Sequence, residues 1–200
     1  MSFETAFEHS TELFNAALEE FIEKGYEQAS INTILKTAGM SKGQFYYHFK
    51  TKEDLYLALI AILIARKREF VGTIMRPEDF QQDLFGILRT QIRYGLMFAR
   101  AYPAISRFGE SFVREQGSAI YKKALAIHNF ENDAAMTQLI EAGVARGDLR
   151  DDLPLAFIHK LIAYLITHAA DLTDLDQFDS VERNLDYLIT FLKSGLGRSG

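Results

Sequence analysis

The 200-residue sequence has no cysteine and no tryptophan. Without thiols it forms neither disulfides nor thiolate metal sites, and such a chain suits a reducing compartment. Proline occurs only at Pro77, Pro103 and Pro154, so little interrupts a helical pattern. No apolar/polar alternation bounded by hairpin turn residues appears, which argues against strands. The longest apolar run, Leu55 to Ala65, is eleven residues, well short of the ~20 that span a bilayer. The acidic start, Met-Ser-Phe-Glu-Thr-Ala-Phe-Glu, lacks the basic-then-apolar layout of a secretory signal. A cytoplasmic protein without a membrane partner is expected. Catalytic signals are missing too, namely a nucleophile–base motif and a phosphate-cradling glycine loop. Histidines 9, 48, 128, 159 and 168 show no metal-binding spacing. Asp171, Asp174, Asp176, Asp179 and Glu182 resemble a calcium loop, but Thr173 and Leu175 stand where ligands are needed and the turn glycine is missing. No enzyme activity, metal or cofactor is expected.

What is present is an ordinary globular composition, 48% apolar and 24% charged, with apolar residues at helical spacing almost throughout. An all-α fold of about nine helices follows. The first helix is expected from Glu4 to Lys24, with Leu13, Ala17 and Phe21 on one stripe and Gly25 as its stop. Ser30 can cap a second helix through Thr37, ended by Gly39. Ser41 with Gln44 is a capping box opening a third helix, and Thr51 with Asp54 opens a fourth that runs to about Gly72. Arg76 to Asp79 reads as a hinge, followed by a helix from Asp79 to Arg100. A short segment spans Ala104 to Phe112, and one long helix is expected from Ser118 to Ala145. Two strongly apolar helices close the chain, the last ending near Lys193, with a frayed tail from Ser194. The division expected is 1–50 head, 51–76 connecting helix and 77–200 C-terminal domain.

Charge is distributed unevenly. Between Gln28 and Lys52 stand four lysines (Lys36, Lys42, Lys50 and Lys52) and no acid, a window of +4 within a chain of net charge −5, leaving −9 elsewhere. A positive patch on an acidic body can bind phosphates while the body discourages indiscriminate adhesion. In the same window Gly39 permits a tight turn between two short helices. Ser41, Lys42 and Gly43 begin the second of these, where free backbone N–H groups suit phosphates or base edges. Gln44 can pair with adenine or serve as the cap of Ser41. Phe45 and Phe49, four apart, are core candidates, leaving Tyr46, Tyr47 and His48 outward. Lys52 places a cation at a helix N-terminus, against the dipole, which is easier to understand if it has an anionic partner.

These residues carry a resemblance. Ala17, Phe21, Gly25 and Tyr26, then Ser30, then Ala38-Gly39-Met40-Ser41-Lys42-Gly43, Tyr46-Tyr47-His48-Phe49 and Lys50 to Leu55 resemble the head of the TetR family of transcriptional regulators. The match covers about 45 residues in one register. It implies a three-helix helix-turn-helix head bound to double-stranded DNA. It also implies a helical C-terminal domain that binds a small effector and forms a homodimer. The positions implied to meet DNA are Ser30, Asn32, Thr33, Ser41, Lys42, Gly43, Gln44, Tyr46, Tyr47, His48 and Lys52, with Lys52 clamping a phosphate. One departure stands out: Glu4, Glu8 and Glu12 occupy a first helix that has no basic residue before Lys24.

The remaining two-thirds is less specific. Tyr94, Phe98, Tyr102, Phe112, Tyr121, His128 and His168 are the effector-contact candidates, with Met97, Phe108, Phe130 and Met136 beside them. Such groups suit a largely apolar pocket, although aromatic and methionine stripes are more often plain core. No cationic cluster favours a multiply charged effector, since Arg89, Arg93 and Arg100 read as solvated. Leu155, Ile158, Ile162 and Leu165, with Leu185, Leu188 and Leu192, are expected to form a four-helix dimer interface. The function expected is a repressor released from a palindromic operator by an apolar effector. The alternatives are a TetR-like activator, or an all-α carrier or enzyme with a vestigial head.

Overall fold

The computed structural model describes residues 11–128, 134–168 and 178–198. Ten α-helices lie in these residues, against the nine expected: α1 Thr11–Gln28, α2 Ile31–Ala38, α3 Lys42–His48, α4 Lys52–Ile74, α5 Leu84–Ala101, α6 Pro103–Arg114, α7 Ala119–His128, α8 Ala134–Arg146, α9 Leu155–Thr167 and α10 Phe178–Leu196. A 3-10 turn, Pro77–Phe80, stands at the expected hinge. The segment read as one helix from Ser118 to Ala145 is described as α7 and α8. The chain forms two compact units, Met1–Phe70 with Ala101–Glu131, and Val71–Arg100 with Asn132–Gly200. The units interleave along the chain, so a linear division at 50 and 76 does not follow their outline.

Local chemistry explains the head. Ser30 caps α2 by accepting from Thr33 N–H at 3.4 Å, and Gly39 ends it in the left-handed region at φ 63°. The capping box of α3 is formed in both directions: Ser41 Oγ accepts from Gln44 N–H at 3.2 Å and Gln44 Oε1 from Ser41 N–H at 2.9 Å. Thr51 and Asp54 do the same for α4, each bond 3.0 Å. Helix α1 runs past its expected stop, with a break at Gly25 (φ 70°, ψ 177°). Leu13 and Phe21 of α1, Ile34 of α2, Phe45 of α3 and Leu55 and Tyr56 of α4 are wholly buried together with Phe108 of α6. The Tyr56 ring meets Phe21 edge-on at 4.8 Å and Phe108 at 5.4 Å. Ser41→Ala should cost about 1 kcal/mol, lowering the melting temperature by about 2–4 °C in a thermal denaturation followed by circular dichroism.

The second unit is built around Leu84, Leu88 and Ile92 of α5, Ile140 of α8, Ile158 and Ile162 of α9, and Leu185, Leu188 and Leu192 of α10. This corrects the expected dimer interface. Ile158, Ile162, Leu185 and Leu192 are no more than 2% exposed and Leu188 is 8% exposed. A side chain with no accessible surface has none to give a second subunit. Leu165 is half-buried and packs against the same core, and only Leu155 of the expected set is exposed. Arg89, expected to be solvated, bridges α5 to α10 through Asp186 at 2.8 Å and Glu182 at 3.1 Å. The tail is tied down up to Arg198: α10 continues to Leu196, Leu149 pairs with Gly197, and Arg150 N–H donates to Leu196 O at 2.9 Å. The expected start of the first helix and the acidic run Asp171 to Asp176 fall outside the described residues.

Candidate nucleic-acid interface

Helix α3 sorts its aromatic residues by register. Phe45 and Phe49 stack at 5.7 Å between centroids and are buried, while Tyr46 and Tyr47 are 56% and 78% exposed. Burying so large a hydrophobic area would stabilise the head by kilocalories, so two adjacent exposed tyrosines call for a partner. Lys42, Gly43 and His48 are exposed with them, as are Asn32 and Thr33 on α2. His48 packs edge-on against Tyr47 at 5.0 Å, and Tyr46 leans on Phe45 at 5.2 Å, so these outward groups are braced rather than loose. The surface thus presents hydroxyls, an imidazole, an amide and a lysine from one short helix and its neighbour. That mixture can bond phosphate oxygens and base edges.

Some expected contacts have prior engagements. Gln44 is exposed, but its Oε1 is the cap acceptor, and bidentate adenine reading needs that oxygen as well as the amide nitrogen. Adenine reading by Gln44 therefore has to share that oxygen with the cap bond. Ser30 is half-buried and its hydroxyl caps α2; its N–H donates to Glu20 Oε1 at 2.9 Å. Ser41 is exposed, its hydroxyl likewise occupied as a cap. Lys52 is half-buried, and its ammonium donates to Glu27 O at 2.9 Å and Ala29 O at 3.1 Å. It also lies 4.8 Å from the centre of the Tyr26 ring. Two carbonyls and a ring face hold the cation at the junction of α1 and α4, and they offset the unfavourable dipole that a lysine meets at a helix start. Burial, and after it the nearby Glu53, push the Tyr26 phenol up. The seat of Lys52 was not legible from sequence, because its carbonyl partners stand 23 and 25 residues away.

The effector-contact candidates do not form one cluster within either unit. Tyr102, Phe112, Tyr121 and His128 belong to the unit containing the head, and Tyr94, Phe98 and His168 to the other. Phe112 stacks on Tyr121 at 4.8 Å, and burial pushes the His128 imidazole down. Tyr94 donates to Asp79 at 2.6 Å, a bond that holds the Asp79 carboxyl below its ordinary range. His168 lies flat against Tyr164 at 4.0 Å, and Phe98 is buried. Phe130 and the side chain of Met136 are outside the described residues.

A helix-turn-helix head with an outward polar-aromatic recognition helix defines a DNA-binding protein. Residues 13–59 match the profile of bacterial regulatory proteins of the tetR family. The chain is 30% identical over 187 residues to an uncharacterised helix-turn-helix transcriptional regulator of Lactococcus lactis, from the region 3′ of lacX, covering 87% of this chain and 88% of that one. It is 26% identical over 151 residues to the transcriptional repressor AcnR of Corynebacterium glutamicum, covering 76% and 74%. A TetR-family regulator from Chloroflexus aurantiacus superposes with a TM-score of 0.79 at 25% identity over 98% of both chains. The chain belongs to the TetR family and is a DNA-binding transcriptional regulator of that type. No described helix is long and apolar enough to cross a membrane.

Proposed function

We propose that this regulator is a repressor, acting in the cytoplasm as a homodimer that binds a two-fold symmetric operator and leaves it when a small, largely apolar effector binds. It is not an enzyme. The single observation that carries the reading is the sorting of α3, with Phe45 and Phe49 buried and Tyr46, Tyr47 and His48 turned out beside Lys42. Each head lays α3 in a major groove, with Asn32 and Thr33 of α2 beside it and Lys52 on a flanking phosphate. Gly43, exposed and without a side chain, lets the backbone of α3 approach the duplex. Ser30, Ser41 and Gln44 serve first as caps. The effector must bind the DNA-incompetent state better than the competent one, or it shifts nothing. Phe112 and Tyr121, stacked in the unit that includes the head, are the effector contacts favoured here.

A second copy of the chain docks on α9 and α10. Their inward faces form the core described above, and their outward faces carry Phe157 and Tyr164, seven apart, and Tyr187 and Phe191, four apart. All four are more than half exposed. Exposed aromatic stripes on two helices of one unit match the apolar centre of a homodimer interface. The experiment for the whole reading is selection of bound duplexes from random-sequence DNA by the full chain. Enrichment of a palindrome whose half-sites lie about 34–36 Å apart, or a multiple of that, is expected. Recovery of no site, or of one without two-fold symmetry, rejects it.

A further inference from the structure

The break in α1 at Gly25 removes Tyr26 N–H from the helical ladder. Tyr26 N–H donates instead to Oε1 of Glu115, 2.7 Å away and 89 residues later. Glu115 ends α6, and its own N–H is bonded to Phe112 O at 3.1 Å, so the carboxylate is carried on an anchored helix end. Gly25 makes room for it: a Cβ at that position would stand 2.8 Å from the same Oε1. A short bond from a backbone N–H to a carboxylate is of the stronger, charge-assisted kind.

Immediately after the break come the groups that hold Lys52. The Tyr26 ring, Glu27 O and Ala29 O all contact its ammonium, so the whole seat lies within the segment whose direction the break sets. Helix α6 also grips α1 ahead of the break, where Ser111 Oγ donates to Phe21 O at 3.0 Å. Lys123 of α7 pairs with Glu53, the neighbour of Lys52. Phe112, three residues before Glu115, stacks on Tyr121.

We propose that Glu115 is a positioning residue for DNA binding: by holding the α1 break it fixes the pose of Lys52, so the end of α6 determines whether the head can seat a phosphate. The inference rests on the reading of Lys52 as a phosphate contact. Electrostatics alone makes the opposite prediction, because deleting a carboxylate from a DNA-binding unit raises its affinity for DNA. A cap that merely stabilised α1 would alter stability and leave the number of phosphates engaged unchanged.

The test uses the full chain and a duplex recovered by the selection described above, with affinity measured across a range of salt concentrations. Glu115→Ala is expected to lower affinity and to reduce the slope of log affinity against log salt by about 0.9, one phosphate contact. Lys52→Ala should give the same reduction, and the double variant no more. Glu115→Gln, which keeps an acceptor oxygen, should restore most of the slope. Ser111→Ala should lower stability and leave the slope intact. In the free protein, exchange of the Tyr26 amide should accelerate in Glu115→Ala. A wild-type slope in Glu115→Ala beside a reduced one in Lys52→Ala overturns the proposal, as do losses that add in the double variant. A wild-type slope in Lys52→Ala rejects the phosphate contact itself, and the positioning role falls with it. If Glu115→Ala loses its helical fold by circular dichroism, Glu115→Asp, whose carboxylate is one methylene short of Tyr26 N–H, takes its place with the same expected and overturning results.

Discussion

Replacing Lys52 and Tyr46 together by alanine should weaken operator binding about 100-fold or more at moderate salt. The lysine supplies a charge-assisted bond of about 1.5–3 kcal/mol and the tyrosine a neutral one of about 1 kcal/mol, and a factor of ten is about 1.4 kcal/mol. Lys52 also holds α1 to α4 through Glu27 O and Ala29 O, so its loss loosens the head as well. The salt dependence separates the two effects. A head that is merely less stable binds more weakly at every salt concentration with an unchanged slope, whereas loss of a phosphate contact flattens the slope by about 0.9. Tyr46→Ala alone should lower affinity and keep the slope, because a hydroxyl displaces no counterion. Fluorescence anisotropy on the selected duplex measures all of this, and undiminished affinity in the double variant would remove Lys52 and Tyr46 from the interface.

Phe191→Asp should turn the protein into a monomer and thereby abolish cooperative operator binding. Phe191 is 69% exposed in the single chain, whereas its neighbour Leu192 is 2% exposed. The substitution at 191 therefore leaves the core of its own subunit untouched. Burying a phenylalanine is worth about 1.5–3 kcal/mol, and two-fold symmetry repeats the loss in the partner. Dimer affinity should fall by roughly 10²–10⁴-fold before the cost of burying two carboxylates is added. Sedimentation velocity at micromolar concentration gives the oligomeric state, and a thermal melt shows whether the subunit still folds. Leu192→Ala makes the contrasting case, with about 2–5 kcal/mol lost from the subunit's own stability. A Phe191→Asp protein that still sediments as a dimer would mean that subunits pair elsewhere.

The head was legible because its determinants are local. Ser30, Gly39, Ser41 with Gln44, and Thr51 with Asp54 each act within three or four residues or through their own backbone, so their spacing alone predicts where α2, α3 and α4 begin and where α2 ends. Phe45 and Phe49 separate from Tyr46 and Tyr47 by helical period in the same way. The apolar helices near the C-terminus show where such reading stops. Helix α9 carries a single charge, Lys160, between Leu155 and Thr167, so period alone cannot say which apolar side faces inward. The aliphatic side went to the core and the aromatic side to solvent, a choice decided by packing against α5 and α8. The bond of Glu115 to Tyr26 had no sequence signal at all, since a lone glutamate 89 residues distant looks like any surface acid.

The capping role of Gln44 bears on how this regulator can acquire new operators. A natural or engineered change at that position would loosen the first turn of a recognition helix only seven residues long, whatever it did to base contacts. Retargeting is thus channelled away from Gln44 and toward Asn32, Lys42, Tyr46 and Tyr47, whose side chains cap nothing. A library randomised at those four positions with Ser41 and Gln44 held constant should yield more folded, switched-specificity variants than one that includes position 44.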